Sequence, residues 1–151
     1  MFTQIHQWLL LIHLLAATIW VGGHLIMAIQ FMPRALKQRN PQILQQFEQR
    51  YEPIGMPALV LLVISGLWMA SDFGVTPTRW FHFDSGMERA VSAKLILLLL
   101  TVGLALDARL RVLPKLTPNR LPDMAWHVYG VTLIGVLMLY MGVSLRYGGL
   151  S

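Results

Sequence analysis

Cysteine is absent from all 151 residues. Disulfides, thiolate metal sites, iron–sulfur clusters and cysteine nucleophiles are therefore excluded within this chain. Charge is scarce as well: 13% of the residues are Asp, Glu, Lys or Arg, 56% are hydrophobic, and the apolar residues gather in four long runs. That balance belongs to a membrane protein. Acidic residues are the fewest, seven against twelve basic ones, which leaves a net charge of +5. The excess does not point to nucleic acid, because the basic residues lie between the apolar runs, where membrane topology accounts for them. No extramembrane domain and no internal repeat is visible. The first run also lacks the basic leader and small-residue cleavage site of a signal peptide and is too long for one, so it is expected to stay as a permanent helix.

What the sequence does hold is an all-α membrane protein in one domain, residues 1–151, forming a four-transmembrane-helix antiparallel bundle. The spans are expected at about 4–32, 54–71, 88–107 and 124–145. Span one should end at Pro33, since proline disfavours helical geometry in the residue before it. Asn40-Pro41 looks like a helix cap and first position. It should open a short helix carrying Ile43, Leu44 and Phe47 along the membrane surface, with span two starting only after Glu52-Pro53. Ser85 and Glu88 have capping-box spacing at the start of span three. The proline-containing stretch ARLRVLPKLTPNRLPD separates spans three and four, and span four should end near Gly148-Gly149.

Basic residues set the orientation. Arg34, Lys37, Arg39 and Arg50 follow span one, and Arg109, Arg111, Lys115 and Arg120 follow span three, whereas the second loop has Arg79 and Arg89 and the tail Arg146. The positive-inside rule then puts loops one and three in the cytoplasm and both termini outside, periplasmic in a bacterial inner membrane. Trp8, Trp68, Trp80 and Tyr147 fit an outer aromatic belt. Lys94 and Arg146 lie near the outer boundary, where long basic side chains ordinarily snorkel.

Ionisable side chains inside a membrane are expensive and mark sites. Span one, LLLIHLLAATIWVGGHLIMAIQF from Leu9 to Phe31, carries two histidines. His13 and His24 are about 20° apart on one face and roughly 16 Å apart along the axis, with His6, Trp20 and Met27 on or near the same stripe. His24 and His127 should lie at depths of about 12 Å and 7 Å from the inner boundary. In an up-down-up-down bundle the first and fourth helices are antiparallel neighbours, so these two imidazoles are the candidate pair. Gly22, Gly23, Gly130 and Gly135 nearby either permit close helix packing or leave room for a flat macrocycle. Two axial imidazoles, small neighbours such as Gly23 and Gly130, and cytoplasmic Arg34, Arg109 and Arg111 for propionates describe a b-type haem site. Copper is the competing ligand. His6, His13 and His82, with Met69, Met87, Met138 and Met141, lie toward the outside, and imidazole with thioether suits copper. Met138 and Met141 share one helix face. Against both stands the ordinary use of Met as gap-filler and of buried His as a hydrogen-bonded core residue.

The stretches HLLAATIWVGG, FEQRYEPIGMPALVLLVISGLWMA and AKLILLLLTVGLALDARLRVLPKL resemble the copper-resistance D (CopD-like) membrane family, of which the chain corresponds to the four-helix module. The start of span two, the WFH of loop two and the following AKL are also similar to HemJ-like protoporphyrinogen oxidases. The first resemblance implies copper homeostasis in a bacterial inner membrane, with copper moving from periplasm to cytoplasm. The second implies bound haem b and tetrapyrrole oxidation, with His13 and Lys94 matched to that family's histidine and lysine, although span three here has no histidine.

The function expected from these residues is haem b held by His24 and His127 for electron transfer or a redox reaction, with His13 serving a second site. An oxidoreductase activity is left open. The alternative is a CopD-like protein that binds or moves copper at His24, His127, His13, His6, Met138 and Met141. A purely structural membrane subunit is the third reading. The expected partners are membrane lipid, a redox partner protein or quinone, and a second copy in a homodimer.

Overall fold

The computed structural model describes residues 2–147, so the expected span-four end at Gly148-Gly149 lies outside the described residues. Helix α1 is Phe2–Ile26, α2 Met32–Gln38, α3 Gln42–Asp72, α4 Gly86–Asp107 and α5 Leu121–Leu145. No strand occurs among the described residues. Four helical stretches are long and apolar enough to cross a membrane: Gln4–Gln38, Gln42–Asp72, Gly86–Lys115 and Pro118–Leu145. Their outward faces are apolar, with Leu15, Ile29, Ile64, Leu99 and Leu133 all exposed. That is the pattern of a bundle solvated by lipid. Below, the upper end is the one where α1 begins and α5 ends, and the lower end carries the loops after α2 and α4.

Proline does not break the first two spans where the sequence led us to expect it. A π-helical turn, Met27–Phe31, joins α1 to α2, and the Met32 N–H bonds to the Met27 carbonyl. Pro33 has no N–H to give, and the i→i+5 step just ahead of it carries the helix on to Gln38, where Arg39 turns left-handed (φ 49°) and ends it. The same device recurs on the other side of the bundle. The π turn Ala108–Val112 precedes Pro114, with the Leu113 N–H on the Ala108 carbonyl. The expected surface helix is likewise not separate. It is the first part of α3, which passes through Pro53 and Pro57 unbroken. Membrane helices tolerate such prolines because neighbouring groups satisfy the freed backbone.

The capping box forms as the sequence spacing requires. Ser85 Oγ accepts from the Glu88 N–H and the Glu88 carboxylate from the Ser85 N–H. Glu88, 3% exposed, also pairs with Arg79 at 2.9 Å, which ties the upper loop to α4. Trp8, Trp68 and Tyr147 are exposed near the upper end, while Trp80 turns inward and packs beside Ala70, Val75 and Val91.

Helix α1 lies between α3 and α5, and α4 lies against α5. Helices α3 and α4 pack little against each other, so a seam runs between them. Close approach elsewhere uses glycine. A side chain at Gly66 would meet the His13 ring, one at Gly135 would meet Val21, and one at Gly130 would meet Leu104. Three layers of core result: Ala70, Val75 and Val91 above, Trp20, Val21, Leu59 and Val131 in the middle, and Met27, Met32, Leu44, Met124 and Val128 below.

Candidate metal-binding cleft

In the lower half of the seam a cleft opens, backed by α1 and α5 and flanked by α3 and the end of α4. His24 forms part of its back wall. Its ring is 9% exposed, and its Nδ1–H donates to the Trp20 carbonyl at 2.8 Å, one helical turn earlier. That bond fixes the tautomer and leaves the Nε2 lone pair uncommitted. The ring sits 4.5 Å from that of Trp20 and meets the Tyr51 ring edge-on at 5.7 Å. Thr132 of α5 donates to the Val128 carbonyl at 2.6 Å and to the His24 carbonyl at 3.2 Å, which holds α1 and α5 together at this level.

Tyr51 gives the cleft its shape. Its hydroxyl reaches the Ile19 and Trp20 carbonyls of α1 at 3.1 and 3.0 Å, and its ring lies over Gly23 and Gly55, where an added Cβ on either would collide with it. The space left by Gly23 is therefore filled by a tyrosine, and that left by Gly130 is bordered by Leu104. The cleft does not offer those two glycines as the cradle of a flat macrocycle.

His127 lines the same cleft as His24, as helix adjacency led us to expect. Its nitrogens are differently placed. Nδ1 donates to the Asp123 carbonyl at 2.7 Å, and Nε2 stands 2.7 Å from Asp107 Oδ2. Both nitrogens thus already face oxygen partners, and the Asp107 carboxylate also accepts from Arg111 at 2.8 Å. An axial bond from His127 to a haem iron would require that pairing to break. The residues present do not fit a bis-imidazole haem as they stand.

The remaining walls bear thioethers and carboxylates. Met27, Met56 and Met124 line the cleft, the first and last of them 1% and 3% exposed, and Glu48 and Glu52 line its α3 side. Arg109, in the π turn after α4, pairs with Glu52 across the mouth of the seam.

The other residues singled out from sequence lie elsewhere. His13 is in the upper half, where its Nδ1–H donates to Ser65 Oγ at 2.8 Å. His6 is 3.3 Å from Asp72 and packs against Phe73 at the upper end. Met138 and Met141 are half-buried on the upper part of α5, and Arg34 is exposed on α2 outside the cleft. Among the described residues no group of three or more His, Asp or Glu is placed to hold a metal. A hard or borderline metal would thus find no ready ligand set, whereas a single imidazole nitrogen among thioethers suits copper(I). Sequence reasoning missed Tyr51, Met56, Met124, Glu48, Glu52 and Asp107. The signal that pointed nearest to them was the FEQRYEPIGM stretch, which supplies four of the six.

Compared with known proteins, residues 45–145, about two-thirds of the chain, match the family model for copper resistance protein D. The matched region takes in α4, α5 and nearly all of α3, and leaves out α1 with His13 and His24. No curated protein and no solved structure matches. The HemJ-like resemblance receives no support from these comparisons.

Proposed function

The chain belongs to the copper resistance protein D family, and from that premise we propose that it is a copper-handling membrane protein that holds copper(I) as its cargo at His24. The observation that carries this reading is the His24 ring itself. Its Nδ1–H is committed to the Trp20 carbonyl, which leaves Nε2 uncommitted, and the residue lines a cleft together with Met27, Met56 and Met124. Thioether is a soft and imidazole a borderline donor, both neutral, and such sets accept copper(I) and release it readily compared with thiolates. That weakness suits passage more than storage. The Trp20 carbonyl and the rings of Trp20 and Tyr51 orient the imidazole, while Glu48, Glu52 and Arg109 at the rim provide the charged surroundings at the lower mouth of the cleft.

In this reading the chain sits in a bacterial inner membrane with both termini periplasmic. The seven basic residues between α1 and α3 and between α4 and α5, with Arg50 in the first part of α3, support that orientation, because they gather at the lower end. The cleft then belongs to the cytoplasmic half.

The test is a copper(I) titration of the purified chain in mild detergent against a chromophoric competitor, with an absorption spectrum of the same sample. One tight copper(I) is expected, weakened about 10- to 100-fold in His24→Ala and less in Met27→Leu or Met124→Leu. A Soret band that disappears in His24→Ala, without copper binding, would overturn the reading in favour of haem.

A further inference from the structure

Lys94 lies on α4 about 12 Å in from the start of the helix, and among the described residues no carboxylate pairs with it. Of the seven carboxylate residues in the chain, Glu52 pairs with Arg109, Asp72 with His6, Asp84 with His82, Glu88 with Arg79, and Asp107 with Arg111 and His127. Glu48 and Asp123 belong to the lower end. The groups that face Lys94 are few. From α1 comes His13, close enough for a charge on Lys94 to act on its ring. From α5 comes Gly142, whose Cβ, if it had one, would lie 3.7 Å from Lys94 Nζ. His13 is itself held by Ser65 of α3, which gives its own hydrogen to the Leu61 carbonyl and so accepts the His13 Nδ1–H. Glu88, on the same helix, is taken by Arg79. The upper half of the bundle therefore holds a lysine amine that no carboxylate among the described residues pairs with.

The stripe that carries Lys94 leads to the cleft. Thr101 is seven residues further along α4, about 20° away on the helical wheel, and four residues before Ala105, which lines the cleft. Thr101 is 2% exposed, and its hydroxyl has no hydrogen-bond partner. Buried polar atoms are ordinarily paired, and this one lies at the level of the apolar layer of Trp20, Val21, Leu59 and Val131 that separates the upper polar groups from the cleft. It is a polar foothold on α4 between Lys94 and the cleft.

We propose that Lys94 is a proton-operated gate for cations crossing the upper half of the bundle. This rests on the copper-handling reading. With Lys94 as –NH₃⁺, a cation moving along the stripe toward Thr101 and the cleft is repelled. When Nζ loses one proton to water at the upper end, the amine is neutral and the cation passes. Rebinding a proton resets the gate. Only the N–H bond is broken and remade, and copper keeps its oxidation state, so no oxidant or reductant is consumed. Intramembrane ionisable residues mark ion and proton pathways in general, and lysine is the basic side chain whose protonation shifts readily on burial.

The test uses the full chain in liposomes, copper(I) kept reduced with ascorbate, and a trapped copper(I) chelator as the reporter, with external pH varied. Copper entry in the unsubstituted protein is expected to rise with pH. Lys94→Met, which is neutral and of similar length, should carry copper at a rate that no longer depends on pH. Lys94→Arg, permanently charged, should run about tenfold slower than Lys94→Met at every pH and match the unsubstituted protein at low pH, the factor that unit-charge repulsion supplies across about 10 Å at an effective dielectric of about 20. Copper(I) titration of both variants at the His24 cleft checks that they are folded, and Lys94→Gln replaces Lys94→Met if the latter is not. Copper entry with the same pH profile in all variants overturns the gate and leaves the copper reading intact. Loss of entry in both Met and Gln variants with cleft binding retained also overturns it. Absence of copper entry in the unsubstituted protein overturns the gate along with passage.

Discussion

The Tyr51 ring occupies the space that a side chain on Gly23 would need. Tyrosine and glycine thereby fix the distance between α3 and α1 just where His24 enters the cleft.

Gly23→Ala is accordingly expected to push the ring off its seat. Overpacking of this kind costs about 1–3 kcal/mol, and Tyr51→Phe, which loses the bonds to the Ile19 and Trp20 carbonyls, about 0.5–1.5 kcal/mol. Thermal unfolding in mild detergent should rank Gly23→Ala below Tyr51→Phe, and Tyr51→Phe below the unsubstituted protein. An unchanged midpoint for Gly23→Ala would show that the ring has room to move.

Ser65 is 3% exposed and is the acceptor for His13 Nδ1. Ser65→Ala should leave that N–H unpaired and lower stability by about 1 kcal/mol, the order found for side-chain bonds between membrane helices. Ser65→Thr keeps an acceptor and should recover most of the loss. The pair of melting curves decides whether the hydroxyl or the size of the residue matters.

At the start of α4, Ser85→Ala removes one half of the capping box and should cost about 1 kcal/mol. Because Glu88 also holds Arg79, the upper loop should loosen too, and hydrogen exchange at the backbone amides between Thr76 and Ser85 should quicken. Protection unchanged across that loop would mean that the Arg79 pairing alone keeps it in place.

His24 and His127 should respond differently to the same substitution. His24→Gln removes the uncommitted Nε2 and is expected to weaken copper(I) binding by about tenfold or more. In His127→Gln, the lost group is one whose two nitrogens already face Asp123 and Asp107, so copper(I) affinity should stay close to that of the unsubstituted protein. Equal losses would make the histidines joint ligands and would require the Asp107 pairing to open on binding.

Much of the architecture was legible in the residues. Four apolar runs gave four spanning helices, Ser85 and Glu88 gave the cap, and alternating direction put α1 beside α5, so that His24 and His127 line one cleft. The continuity of the helices was not legible. Pro33 and Pro114 act as breakers in local reasoning, yet each follows a π turn that carries the backbone on, and the register of such a turn is set by packing more than by the residues in it. The cleft itself was harder to read. In a soluble helix a polar face shows which side points outward, but here lipid-facing Leu15, Ile64 and Leu133 are as apolar as the buried Val21, Leu59 and Val131. Rotation about the helix axis was thus undetermined for α3 and α5. That is why Met56 and Met124 stayed hidden among nine methionines, while Met138 and Met141 drew attention through their spacing alone.

The seam between α3 and α4 has a mechanical consequence. Helices α1 and α3 form one tightly packed pair and α4 and α5 the other, and the two pairs meet mainly along α1 and α5. Such a molecule is built like a hinged book. Its spine is the line where Thr132 touches the His24 carbonyl, and its clasp is the Glu52–Arg109 ion pair at the fore-edge. Opening by a few degrees would part the clasp and widen the cleft while leaving both pairs of pages bound.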